Sequence, residues 1–82
     1  MTNEARSAEQ RAQDYTAMGH SVDLINDIVA GNQDEKEAQE RQSIVDRNVE
    51  HLELMVAKSD WDGEDMTAAN AAITAGSGYT AS

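Results

Sequence analysis

The stretch Ile44-Val45-Asp46-Arg47-Asn48-Val49-Glu50-His51-Leu52-Glu53-Leu54-Met55-Val56 decides the fold. Val45, Val49, Leu52 and Val56 recur at alternating four- and three-residue spacing, which puts all four on one stripe of an α-helix. Ala38 and Gln42 extend that stripe backward as a heptad seam, and Ile44 and Met55 widen it toward the C-terminal half. A helix is expected over residues 34–58. Asp34 is its expected N-cap, with Glu37 three residues on as a capping-box partner, and Glu37 can pair with Arg41 at i,i+4.

Upstream, residues 4–30 predict a first helix, with a thin stripe of Ala5, Ala8, Ala12, Tyr15, Gly19 and Val22. Gly19 is a possible interruption, because Ser21 can cap a second short helix over Val22, Leu24, Ile25, Ile28 and Val29. Gly31-Asn32 offers a left-handed C-terminal cap. Downstream of Ser59-Asp60-Trp61-Asp62-Gly63, a short third helix is expected over residues 64–75, started by Asp62 with Asp65 three residues on and closed by Gly76. Its stripe of Met66, Ala69, Ala72 and Ile73 is narrow, as suits close packing on another helix.

The expected fold is therefore all-α, one small domain over residues 1–82. It consists of a hairpin of two longer helices plus a short C-terminal helix. Residues 1–20 are expected to be a weakly packed helical arm, and residues 76–82 a flexible tail on which Tyr79 alone can anchor. Two readings of the seam stand: it packs on Val22, Ile25 and Val29 within the hairpin, or it is shared with another chain.

Proline is absent, so glycine alone punctuates the chain. Leu, Ile and Val number only twelve, with no Phe, so the core is small for the backbone entropy it must offset. Without cysteine there is no disulfide to help. Completion of the fold by oligomerisation or by a partner follows as an expectation. The N-terminal residues lack the basic and apolar regions of a signal peptide, and the longest apolar run, Leu54-Met55-Val56-Ala57, is far too short to span a bilayer.

Sixteen Asp+Glu against six Lys+Arg give a net charge of -10. Such a chain repels nucleic-acid phosphates and anionic membrane, which excludes direct binding to either. A basic protein surface is its natural complement, although acidity also keeps a small protein dispersed.

Few residues offer chemistry. Asp60, Asp62, Glu64 and Asp65 cluster about Gly63 like part of a calcium loop. Counting from Asp60, however, puts Asp65 and Ala71 where an EF-hand needs Gly and Glu. A helix-capping acidic turn is the better account. His20 and His51 lack helical ligand partners, and His51 falls one position before Leu52, pointing away from the seam. No serine has an evident base, and no glycine loop precedes a Lys-Ser/Thr pair. No catalytic, cofactor or metal residue is nominated, and the chain is expected not to be an enzyme. The interface or packing candidates are Val45, Val49, Leu52 and Val56 of the seam, with Trp61, Tyr15 and Tyr79. Trp61 reads either as a plug between helix ends or as an aromatic anchor.

The run Val45-Asp46-Arg47-Asn48-Val49-Glu50-His51-Leu52-Glu53-Leu54-Met55, continuing through Asp65-Met66-Thr67-Ala68-Ala69-Asn70-Ala71-Ala72-Ile73, resembles small uncharacterised proteins of tailed bacteriophages. It covers less than half of the chain and carries no catalytic motif. The resemblance implies a minor structural or assembly component of a phage virion, bound to a capsid, portal or tail protein, in the virion or the host cytoplasm. The alternative expectation is an acidic inhibitor that mimics DNA, with Asp46, Glu50, Glu53, Asp60, Asp62, Glu64 and Asp65 as its charge array.

Overall fold

A computed structural model describes residues 5–82 as three α-helices: α1 (Ala8–Val29), α2 (Ala38–Val56) and α3 (Thr67–Ser77). The chain is all-α, two long helices and one short C-terminal one. Contacts such as Ser21 with His51 and Gly76 with both Ile25 and Val45 make α1 and α2 an antiparallel hairpin, with α3 laid along it parallel to α1. The expected residue-4 start of α1, and the first part of the proposed N-terminal arm, lie outside the described residues.

Helix α1 opens at Ser7, whose hydroxyl accepts from the Gln10 backbone N–H at 3.1 Å and so satisfies one of the free donors of the first turn. The helix runs through Gly19 without a break. Ser21 is consequently not a cap but a buried residue in mid-helix. The helix ends where Gly31, at φ 86, takes the left-handed conformation. There the Gly31 N–H donates to Ile28 O and the Asn32 N–H to Asp27 O, the paired bonds of a Schellman stop.

Two helix starts differ from expectation. The turn after α1 occupies residues 30–36, with the Lys36 N–H bound to Gln33 O, so α2 begins at Ala38 behind Glu37 and Asp34 caps nothing. The guanidinium of Arg41 reaches Lys36 O, the Tyr79 hydroxyl and Ser82 O, which takes it out of the expected pair with Glu37. Likewise α3 begins at Thr67 rather than at residue 64. Asp62 is used in a turn in which its N–H donates to Glu64 Oε1, and Asp65 instead accepts from the Thr67 N–H at 2.9 Å.

The core consists of Met18, Val22, Ile25 and Ile28 from α1, Val45, Val49 and Leu52 from α2, and Ala69 and Ala72 from α3. Ile44, Met55, Val56, Trp61, Met66, Ile73 and Tyr79 pack around it. Burying each of the larger aliphatic side chains contributes about 1.5–3 kcal/mol. The small α3 residues let that helix approach closely. Gly76 does not close α3, which continues to Ser77; it is buried at the contact itself, because α3 can approach α2 there only without a Cβ.

The tail is tied down rather than loose. Gln42, the polar member of the α2 stripe, accepts from the Ala81 N–H at 2.8 Å and donates to Tyr79 O, while Arg41 holds the Tyr79 hydroxyl at 2.8 Å. The polar first turns of α2 thereby receive the end of the chain.

Candidate functional site

The densest side-chain constellation joins the start of α1 to the elbow between α2 and α3. Arg6 donates through its backbone N–H (2.8 Å) and its Nε (2.9 Å) to Asp60 Oδ2, and through Nη1 to Asp14 at 2.7 Å. Its guanidinium carbon stands 4.3 Å from the centroid of the Trp61 ring, a cation–π distance. Trp61 in turn donates its indole N–H to Met55 O at 2.8 Å and meets Tyr15 in a T-shaped contact, ring centroids 6.1 Å apart at 68°. The Tyr15 hydroxyl donates to Asp65 O at 2.7 Å, and Arg11 secures Arg6 by donating to its carbonyl.

The electrostatics follow from these bonds. Hydrogen bonding from Arg6 holds the Asp60 carboxyl far below the ordinary carboxylate range and lowers Asp14 as well. The same two carboxylates raise Arg6. Asp65 is lowered by its hydrogen bonding with Thr67 at the start of α3. Arg6, Asp14 and Asp60 are charged at neutral pH and satisfied inside the constellation, so its chemistry is that of a clasp, whereas the Asp65 carboxylate lies outside it at the start of α3. Asp60, once a candidate for an acidic array, is spent here.

A second pair escaped the sequence reading. Ser21 Oγ lies 2.8 Å from His51 Nδ1. His51 is therefore half-buried and bonded across the hairpin, not turned to solvent, because its position beside Leu52 is the rim that α1 covers. A Ser–His pair suggests nucleophilic chemistry, yet Ser21 is only 4% exposed and no carboxylate among the described residues hydrogen-bonds His51. The pair joins α1 to α2. Its sequence signal was Ser21 on the Ile25–Ile28 side of α1, a polar residue on an apolar face.

The interface or packing candidates are divided between the core and the surface. Val45, Val49 and Leu52 are in the core, Val56 and Trp61 are packed against it, and Tyr79 lies half-buried beneath Arg41. Tyr15 alone of them is exposed, at 38%. Among the described residues no three or more His, Cys, Asp or Glu side chains are grouped to hold a metal ion, and no helix is long and apolar enough to cross a membrane.

The exterior is strongly acidic. Arg6, Arg11, Arg41 and Arg47 donate to groups of the chain itself, and Lys36 pairs with Glu40 at 3.5 Å. Of the described carboxylates only Asp14, Asp60 and Glu40 are in ion pairs. Glu9, Asp23, Asp27, Asp34, Glu35, Glu37, Asp46, Glu50, Glu53 and Asp62 are all exposed. No protein-family model, curated protein or solved structure matches the chain.

Proposed function

We propose that this chain is a non-catalytic docking protein that attaches by its acidic exterior to a basic surface of a larger protein assembly. One observation supports the reading above the others. The apolar seam of α2 is consumed by α1 and α3, and Arg6, Arg11, Lys36, Arg41 and Arg47 bond to groups of the chain itself. The surface that remains for a partner is rich in carboxylates, with Leu24, Val29 and Leu54 exposed among them. A minor component of a phage virion, on a capsid, portal or tail protein, is the placement we favour, and it rests on the resemblance of residues 45–73.

A second reading, the DNA mimic, draws on Asp46, Glu50 and Glu53, which are exposed along one side of α2. Consecutive helical turns set such carboxylates about 5–6 Å apart. Its array is shortened by Asp60, which Arg6 neutralises, and by Glu64, which is turned to the Asp62 N–H.

Chemical cross-linking in the producing cells, with the partner identified and copies counted, separates the two. An assembly protein is expected in a fixed ratio to a structural partner. Recovery on a nucleic-acid-binding protein, with release by added DNA, would replace this reading with the mimic.

A further inference from the structure

Hollows open on the surface among the described residues. One of about 540 Å³ is walled by Arg11 as well as by Asp62 and Glu64, and one of about 460 Å³ carries Arg47 beside Asp46. A third, about 230 Å³, lies between α1 and α3, and Asp23 and Asp65 are its sole charged residues. Its walls are otherwise apolar or small: Tyr15, Met18, Gly19 and Val22 of α1 face Ala68 and Ala69 of α3. It is smaller than the roughly 300–1,000 Å³ of sites for small molecules, and its scale is that of one side chain.

Gly19 makes the groove informative. It lies inside α1 with no left-handed backbone to require glycine, and a Cβ built there meets nothing within 4 Å. Gly76, by contrast, is demanded by the packing of α3. Glycine in mid-helix weakens the helix, so Gly19 serves neither the helix nor the core. It does leave the groove open, one turn from Tyr15 on one side and from Asp23 on the other.

We propose that this groove is the socket for an arginine of the basic partner protein. The apolar stem of the arginine lies over Gly19 and Ala68, and its guanidinium meets Asp23 or Asp65 beside the Tyr15 ring. An arginine suits these walls better than a lysine, because its planar and weakly hydrated cation combines aromatic contact with carboxylate pairing. The inference rests on the basic-partner reading and names its point of attachment.

The test uses the full chain, isotope-labelled for NMR, and a 15-residue alanine-based helical peptide carrying three arginines. Glutamine and lysine versions of the peptide serve as controls. The arginine peptide is expected to shift the amides of Gly19, Asp23, Asp65 and Ala68 most. Gly19→Met or Ala68→Met, each filling the groove from one wall, should weaken that binding about tenfold or more, and Asp23→Asn by about two- to fivefold. Two variants from opposite walls guard against one that misfolds, and helix content by circular dichroism reports on both. Shifts spread over the acidic faces and unchanged by either filling would overturn the socket while leaving a basic partner in place. Binding of no cationic peptide at low salt would overturn both. A lysine peptide that binds the groove as well as the arginine one would overturn the assignment to arginine.

Discussion

Gly76 of α3 lies so close to Val49 of α2 that a Cβ on the glycine would overlap Val49 Cγ2 and stand 3.3 Å from both Ile25 Cγ2 and Val45 Cγ1. The contact joins all three helices at one point. Gly76→Ala gains helix propensity of roughly 0.5–1 kcal/mol but forces the helices apart, and overpacking of this kind costs about 1–3 kcal/mol. The expected net result is a loss of up to about 2.5 kcal/mol, read as a lower urea midpoint.

Gly19→Ala should do the opposite. With open space around its Cβ and ordinary helical backbone, the substitution removes a helix-weakening residue at no steric cost and should stabilise the chain by about 0.5–1 kcal/mol. Urea unfolding of the two glycine variants side by side checks both signs at once. A loss at position 19 would mean that α1 packs more tightly there than described.

The Arg6–Asp60 clasp predicts a pH dependence. Asp60 and Asp14 have folded-state values below their unfolded ones, so each contributes stability that is present above the unfolded value of about 4. That contribution is lost as pH falls through the folded value. The wild type should therefore exceed Asp60→Asn in urea midpoint at pH 7, and the gap should narrow progressively below about pH 4. A gap that stays constant down to pH 2.5 would show that the charge of Asp60 contributes nothing.

How far the chain explained itself beforehand depends on the range of each signal. The α2 stripe was legible because Val45, Val49, Leu52 and Val56 repeat at helical spacing within a dozen residues. Gly31 was legible because a left-handed stop needs only its immediate neighbours. Asp34 and Asp62 misled because a capping residue marks where a helix is able to start, whereas the turn geometry of residues 30–36 and 62–66 fixes where each one does. Gly76 misled for a related reason: glycine ends helices and also admits close packing, and only the position of Val49 distinguishes the two. Arg6–Asp60 has no periodic trace, and Ser21–His51 shows only its Ser21 half on the apolar face of α1, since the partners are 54 and 30 positions apart. The groove at Gly19 was hidden likewise, because its second wall comes from α3.

Ser21→Ala leaves His51 without its partner across the hairpin. A neutral hydrogen bond of this kind is worth about 0.5–1.5 kcal/mol, and the loss should be of that order. Thermal unfolding of the variant tests it. A larger loss would reveal a role for the pair beyond joining the helices.

Arg41→Gln should release the tail while sparing the core, because Tyr79 and Ser82 then lose a donor but Ile25, Val45 and Leu52 keep their neighbours. Faster amide exchange at residues 79–82 with unchanged helix content is the expected outcome. Unfolding of α2 instead would assign Arg41 to the core of the fold.

The separation of Arg6 from Asp60 also bears on how a newly made chain becomes itself. At about 5–20 residues per second, a ribosome needs roughly 3–11 s to add the 54 positions between them, so Arg6 is made well before its anchor exists. The clasp is thus a late event of biogenesis, a fastening made only when α2 and the elbow with Trp61 have followed α1 out of the exit tunnel. Until then the first helix is a nascent segment without its lock.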